Sequence, residues 1–486
     1  MADRNRLVIA QGTDASTLDP HAHSEVTTGN ILLQIYEPLL RRNVDMELEP
    51  WLATEWKYVE DTCIEFRLRQ GVRFHNGEPF NAESVKFSLE RMADPNREPK
   101  FPPYGRFSSI DHVEIVDEYA VRVHTRRVDP NLPAALTGLS IIPPKYFAEI
   151  GEERFAREPV GTGPYRFVEW RRNEGIVEMR VNESYWRGVC DAEELVFVAV
   201  PEGEDRVRGL LEGRIDIAAN FPPSERSRVE KAGIRVLGTP SVGVMYIGIN
   251  THHEILKNRK VRQAIAHGIN VRELIDEELG GAGYLLNGPV YPQAFGVHPD
   301  IPPIAYDPEK AKQLLAEAGY PDGVELKLEV PDGRFTQDKQ ICLRIAAQLD
   351  KVGIRLHVDI QPWPPFIARF RQHLYDQMYY IGWGNSLFDP DDVYRNAFIS
   401  PNPWNPTDYH HEEMAKLTLE ASSTLDRERR KELYRQALLL FREDLPWIPL
   451  FQCHDMYGVN PKWNWQPRMD ETIFVCDVKK ANGSRG

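Results

Sequence analysis

Apolar and polar residues alternate along several short segments, which predicts strands with one buried and one wet face. In residues 64–69 (IEFRLR) every second side chain is apolar and the others are charged. Residues 81–92 (NAESVKFSLERM) instead repeat their apolar positions with the period of a helix, behind an asparagine suited to cap it. Residues 112–124 (HVEIVDEYAVRVH) predict a hairpin. Together these segments predict a small α+β unit over residues 41–164.

Beyond Tyr165 the pattern changes to strands and helices in turn. Residues 194–238 alternate apolar strand segments with helical segments, and residues 307–360 repeat that order. Such a succession predicts parallel strands joined by right-handed crossovers. Between the two blocks, residues 243–250 (GVMYIGIN) form an extended, glycine-spaced segment that we interpret as a hinge. Two such sheets facing each other make a cleft, and ligands of open α/β sheets bind beyond the carboxyl ends of the strands.

Composition excludes some classes of protein. The 486 residues are 42% hydrophobic and carry a net charge of −14, which favours a folded protein and disfavours a nucleic-acid surface or docking on anionic lipid. The longest uncharged run, residues 279–299, contains several glycines and prolines and is predicted to be a loop. The N-terminal residues lack the regions of a secretion signal, so either the protein is cytosolic or a signal has been removed.

The sequence offers little chemistry of the kind that enzymes use. The paired histidines at 252–253 and 410–411 do not form HExxH, residues 161–167 (GTGPYRF) lack the full dinucleotide motif, and no phosphate-binding loop or nucleophile motif appears. The five cysteines are at least 23 positions apart, which excludes CxxC spacing and leaves the compartment open. We therefore predict no catalytic residues, no metal site and no cofactor. The acidic run at 389–392 is interpreted as a turn and helix cap.

Trp383 is the one aromatic residue whose setting predicts ligand contact. Gly382 and Gly384 flank it, so that a ligand or a backbone segment can approach the indole face.

Eight stretches of the chain carry a family resemblance. In order, they are TLDPH (17–21), FRLRQGVRFHNGEPFNAESVKFSLER (66–91), VGTGPYRF (160–167), LLEGRIDIA (210–218), NRKVRQAIAHGINVRELI (258–275), GGAGYLLNGPVYP (280–292), AAQLDKVGI (346–354) and GWGNSLFDPDD (382–392). Along nearly its full length the chain resembles the family 5 extracellular solute-binding proteins of ABC importers, the dipeptide, oligopeptide and nickel-binding group.

This resemblance implies an α/β fold, namely the two-lobed clamp of periplasmic binding proteins (type II, cluster C) with an extra inserted α+β domain. Lobe I is expected to comprise residues 1–40, 165–248 and 452–486. Residues 41–164 are expected to form the inserted domain, and residues 249–451 lobe II. The resemblance also implies a periplasmic or envelope-anchored monomer whose signal peptide is absent from the sequence. Its expected partners are a small-molecule ligand and an ABC permease with its ATPase subunits, with no nucleic acid.

Site residues carry over where positions match. Trp383 matches a tryptophan that lines the family pocket, and three residues later peptide-binding members place an aspartate that pairs with the α-ammonium of the ligand. Ser386 occupies that position here, which puts a peptide with a free amino group in doubt because serine brings no charge. Arg334 is expected to bind an anion. The remaining expected ligand-binding residues are Asn385, Tyr246, His23, Ser24, Val26, Phe451 and Cys453.

The main hypothesis is therefore capture of a peptide or peptide-like solute in a cleft between the lobes, with hinge closure and delivery to a permease. An alternative keeps the scaffold and changes the ligand to an oligosaccharide or an opine-type conjugate, since Ser386, Asn385 and Trp383 suit neutral hydroxyl groups. A hydrolase that uses a carboxylate pair containing Asp389 is the third hypothesis, and no sequence feature fixes two acids at catalytic separation.

Overall fold

The structure is a computed structural model that describes residues 5–481. The chain divides into two compact units. The first unit contains residues 5–239 and 455–481, and the second contains residues 240–454. Within the described residues, no helix has both the length and the apolar character needed to cross a membrane.

Strands and helices follow one another along the whole described chain. The strands are β1 (Arg6–Gln11), β2 (Leu40–Arg42), β3 (Leu48–Pro50), β4 (Ala53–Glu60), β5 (Cys63–Leu68), β6 (Ile110–Asp117), β7 (Ala120–Thr125), β8 (Tyr165–Arg171), β9 (Ile176–Val181), β10 (Glu194–Ala199), β11 (Ile217–Ala218), β12 (Arg235–Ile249), β13 (Tyr284–Leu285), β14 (Val324–Asp332), β15 (Ile354–Pro362), β16 (Met378–Gly384), β17 (Trp447–Val459), β18 (Trp463–Asn464) and β19 (Lys479–Lys480). The α-helices are α1 (Val26–Leu32), α2 (Ala82–Ala93), α3 (Tyr104–Phe107), α4 (Leu132–Ala135), α5 (Pro144–Ile150), α6 (Glu152–Phe155), α7 (Gly203–Leu211), α8 (Arg226–Lys231), α9 (Arg259–Gly268), α10 (Val271–Glu278), α11 (Pro308–Glu317), α12 (Asp338–Asp350), α13 (Trp363–Arg371), α14 (Asp391–Phe398), α15 (Glu412–Ala421) and α16 (Arg427–Asp444).

The main sheet of the first unit is built around β1. This strand pairs in parallel with β10 on one side and β11 on the other, and β9 and β8 extend the sheet antiparallel beyond β10. Leu7 and Ile9 of β1 are fully buried with Phe197 of β10. The consecutive apolar residues 7–10 (LVIA) are typical of a central parallel strand that is covered on both faces.

Residues 41–164 lie within the first unit and contain a second sheet, in which β4, β5, β7 and β6 are antiparallel neighbours. The predicted hairpin is β6 and β7, and the predicted helix is α2. Asn81 caps α2, because its side-chain oxygen accepts from the N–H groups of Glu83 (3.1 Å) and Ser84 (3.4 Å). The division of this unit into a lobe and an inserted domain stays a prediction.

A disulfide joins Cys190 to Cys476 in the first unit, with 4.8 Å between the Cα atoms. It connects the segment after β9 to the C-terminal segment, whose residues Ile473, Val475 and Val478 are buried in the core. The other three cysteines, Cys63, Cys342 and Cys453, lie outside this disulfide. The two bonded cysteines are 286 positions apart, so no local spacing signals the pairing.

The sheet of the second unit contains β15, β14, β16 and β12 in that order. β14 is parallel to both β15 and β16, and β12 is antiparallel to β16. Helix α12 connects β14 to β15, which is the predicted crossover. Asp307 caps α11 by accepting from the N–H of Lys310 (2.9 Å), with Pro308 in the first turn as expected.

One predicted boundary differs from the structure. The sequence indicates a short strand ending near residue 238 and a separate extended segment over residues 243–250. The structure shows a single strand, β12, over all fifteen residues from Arg235 to Ile249. The chain passes from the first unit to the second within β12 and returns within β17.

Candidate ligand-binding site

Three parallel strands of the second unit end at the same edge of its sheet. Asp332 at the end of β14 pairs with Pro362 at the end of β15, and β16 runs in the same direction as β14. The residues that follow these strand ends are Arg334, Trp363 and Ser386. This edge is where open α/β sheets bind ligands, because loops and side chains from several strands meet there.

Arg334 is held in place by a buried carboxylate. Asp338 is only 3% exposed, and its side chain accepts from the N–H groups of Gly333 (3.3 Å), Arg334 (2.9 Å) and Phe335 (3.0 Å). The guanidinium carbon of Arg334 lies 5.1 Å from the ring centre of Trp363 and 5.2 Å from that of Phe335. The loop backbone and the stacking rings therefore position an exposed cation.

No described carboxylate forms an ion pair with the Arg334 side chain. An exposed guanidinium in a fixed orientation is suited to bidentate recognition of a carboxylate.

The two glycines beside Trp383 have different roles. A Cβ atom on Gly382 would lie 2.8 Å from the sulfur of Met245 and 3.1 Å from a ring carbon of Phe335, so glycine is needed there for packing within the protein. A Cβ atom on Gly384 would meet nothing within 4 Å. Only Gly384 therefore leaves open space beside the indole.

The indole of Trp383 is fixed and half-buried. Its Nε1 donates to the Asp392 carboxylate at 3.0 Å, and its ring centre is 5.9 Å from that of Trp447. Trp383 and Arg334 approach β16 from opposite faces, because Phe335 packs against Gly382 and successive side chains of a strand point to opposite sides.

The two polar residues after β16 differ in accessibility. Asn385 is 2% exposed, its Nδ2 donates to the carbonyl of Asp389 (2.8 Å), and its backbone N–H donates to the carbonyl of Val242 (3.1 Å). Its Oδ1 has no hydrogen-bond partner among residues 5–481. Ser386 is exposed. The serine, rather than the asparagine, presents its side chain to solvent.

Asp389 is a structural residue in this arrangement. It is 5% exposed and forms an ion pair with Arg430 at 3.0 Å. Burial raises the pKa of Asp389, although Arg430 acts in the opposite direction. A buried, ion-paired carboxylate is not placed to attack a substrate, so the geometry offers no support for the hydrolase hypothesis.

Three other expected ligand contacts lie in the second unit. Tyr246 is 1% exposed and stacks on Trp447 with ring centres 3.5 Å apart, and Phe451 is likewise buried. Cys453 is half-buried, and its sulfur is 3.6 Å from the Cβ position of Gly243, which pairs with Gly384. Cys453 is thus the nearest of the three to the strand ends.

In the first unit, the expected contacts follow the carboxyl end of β1. Ser24 and Val26 are exposed, and Val26 begins α1. His23 is half-buried, and desolvation lowers its pKa, so the imidazole is neutral near pH 7. The segment is held to β1 because Gln11 donates from Nε2 to the carbonyl of Thr27 at 3.1 Å.

Sequence reasoning missed three residues that shape the site: Asp338, Phe335 and Trp363. Their roles depend on which strand ends are neighbours, and the only sequence signal is the Asp-Gly turn that precedes Arg334. No group of three histidine, cysteine, aspartate or glutamate side chains within the described chain is arranged to hold a metal ion.

Comparison with known proteins places the chain in a family. The sequence profile described as bacterial extracellular solute-binding proteins, family 5, middle region, matches residues 47–405. The chain belongs to this family. It is 29% identical to heme-binding protein A of Haemophilus influenzae over 88% of the chain and 83% of that protein. It is 27% identical to the glutathione-binding protein GsiB of Salmonella typhi over 91% of the chain and 88% of that protein.

A solved structure of the periplasmic binding protein DppA from Helicobacter pylori, in complex with the peptide STSA, has 26% identity to this family member and a TM-score of 0.78. The match covers 98% of both chains. The predicted fold class and the predicted role as a substrate-binding protein of an ABC importer are confirmed. Proteins of this family are extracellular or periplasmic and work with ABC permease and ATPase components.

Proposed function

We propose that this protein captures a peptide or peptide-like solute that carries a carboxylate group. The observation that supports this is Arg334, which Asp338 and Trp363 hold at the edge where three parallel strands end. Binding a carboxylate there satisfies the guanidinium by a charge-assisted, bidentate contact. The three relatives bind heme, glutathione and a peptide, and all three kinds of solute contain carboxylates.

Ser386 bears on whether the site can bind the α-ammonium group of a peptide. Because it is exposed and neutral, it provides no ion pair that would offset the desolvation of an ammonium group. We therefore expect the protein to accept N-blocked peptides as readily as free ones. An opine-type conjugate is the second candidate, since a serine at this position suits a solute that lacks a free α-ammonium.

One feature of the first unit supports a location outside the cytoplasm. The disulfide between Cys190 and Cys476 is typical of an oxidising compartment. We propose a periplasmic or envelope-anchored monomer that binds the solute through Arg334, Trp383 and Ser386 and passes it intact to a permease with its ATPase subunits. His23, Ser24 and Val26 are proposed as contacts from the first unit.

Isothermal titration calorimetry with three probes tests this proposal. The probes are Ala-Phe-Ala, its C-terminal amide and its N-acetyl derivative. We expect the amide to bind about 10-fold more weakly than the free acid, because it lacks the charge that Arg334 recognises. The N-acetyl derivative should bind within about 3-fold of the free peptide, because Ser386 makes no ion pair.

Arg334→Gln should abolish the difference between acid and amide. Arg355→Gln is the matched control, because Arg355 is an exposed arginine of the same unit on β15 and pairs with Glu325. The proposal is wrong if none of the three probes binds at millimolar concentration, or if acid and amide bind equally to the wild-type protein.

A further inference from the structure

Trp404 forms an aromatic corner with Trp383. The two ring centres are 6.2 Å apart and the ring planes meet at 77°. Trp404 is 49% exposed, more than any other described tryptophan. It lies in the segment between α14 and α15, which no sequence pattern singled out for ligand contact.

Both indoles of the corner are supported from behind. The Nε1 of Trp383 donates a hydrogen bond to the Asp392 carboxylate. The ring centres of Phe370 and Trp404 are 6.3 Å apart. The segment that carries Trp404 is fixed by Asn405, which is 2% exposed, donates to the carbonyl of Tyr409 (2.7 Å) and accepts from its N–H (3.1 Å). The exposed indole face is therefore held in place.

We infer that Trp404 and Trp383 form a subsite that selects solutes bearing an aromatic ring. Aromatic groups prefer edge-to-face and offset contacts with ring centres about 4.5–7 Å apart, and two indoles at a right angle offer one contact of each kind to a single guest ring.

This inference rests on the proposed function and adds a specificity to it. Arg334 selects a carboxylate, Ser386 accepts a neutral group, and the corner discriminates between aromatic and aliphatic side chains. A sugar ring also stacks on tryptophan, so a saccharide is tested as a separate outcome.

The experiment measures a ratio of affinities by calorimetry. Ala-Phe-Ala, Ala-Ala-Ala and cellobiose are titrated into the wild-type protein, Trp404→Ala, Trp404→Phe and Leu439→Ala. Leu439 is the matched control, because it is a large apolar residue of the same unit with 44% exposure on α16. Thermal melts confirm that each variant is folded.

We expect the wild-type protein to bind Ala-Phe-Ala about 10-fold more tightly than Ala-Ala-Ala, as stacking of one ring predicts. Trp404→Ala should lower this ratio to about 2, Trp404→Phe should keep most of it, and Leu439→Ala should not change it.

If the ratio survives in Trp404→Ala while both peptides bind, the aromatic subsite is refuted and the proposed function stands. Equal loss of both peptides in folded Trp404→Ala also refutes ring selection. If only cellobiose binds the wild-type protein, the proposed function and this inference both fail.

Discussion

Removing the disulfide should destabilise the first unit. We consider the double variant Cys190→Ala/Cys476→Ala, which opens a loop closed across 286 positions. The crosslink restricts the unfolded chain, and its effect in the chain-entropy account grows with the logarithm of loop length. The C-terminal segment depends on it directly, because Ile473 and Val475 lie in the core beside Cys476.

The loop length sets the magnitude. For a loop of this size the chain-entropy relation gives about 5–6 kcal/mol at 25 °C, and measured losses for native disulfides are about 2–5 kcal/mol. For a unit of roughly 260 residues, the entropy of unfolding is about 0.55 kcal/mol per kelvin, so the melting temperature should fall by about 4–10 °C.

Differential scanning calorimetry of the wild-type protein and the double variant measures this fall. Cys453→Ala is the control, because Cys453 is outside the disulfide and only half-buried. The melting temperature of this variant should differ from that of the wild-type protein by less than about 2 °C. Thiol titration of the denatured wild-type protein, prepared without reductant, should find three thiols. Five titratable thiols, or an unchanged melting temperature in the double variant, would refute the reasoning.

Two further predictions concern packing and pH. Gly382→Ala should lower the free energy of unfolding by about 1–3 kcal/mol in urea titrations, because the added Cβ meets Met245 and Phe335. Gly384→Ala should change the free energy of unfolding by less than about 0.5 kcal/mol, because its Cβ meets nothing within 4 Å. Equal effects of the two substitutions would contradict the packing argument. Burial, with Arg91 next in effect, lowers the pKa of His21 to about 4. The unfolded state therefore binds this proton first, and stability should fall by about 3 kcal/mol as the pH drops from about 6.5 to 4. His21→Gln should show a shallower fall over that interval, and an identical slope would count against this assignment.

Local sequence signals predicted the elements of the fold well. Asn81 caps α2 and Asp307 caps α11, as the residue types at those positions indicate. These predictions succeeded because capping and periodicity depend on residues within a few positions of each other. The join of two predicted segments into β12 was missed, because whether an extended segment continues depends on its neighbours in the sheet.

The site was less predictable, because its residues are brought together by strand order. Arg334 was predicted through the family resemblance, and Trp383 was predicted from its flanking glycines and then from the resemblance, but the carboxylate of Asp338 that fixes the Arg334 loop was not predicted. Tyr246 was expected to contact ligand, whereas the structure shows it stacked on Trp447, a partner far away in sequence. Pattern reasoning identifies residue types, and register between distant strands decides which of them are accessible.

The first unit is discontinuous in sequence, and this has a consequence for how the chain matures. Residues 240–454 form one uninterrupted stretch, so every residue of the second unit precedes the C-terminal segment of the first unit, residues 455–481. The first unit depends on residues near the C-terminal end of the chain. Val459 of β17 pairs with Ile217 of β11, and Val478 is buried in the core of the first unit. The sheet and the core of the first unit therefore cannot be completed until a segment more than 200 residues further along the chain is available, whereas the second unit depends on no such distant segment.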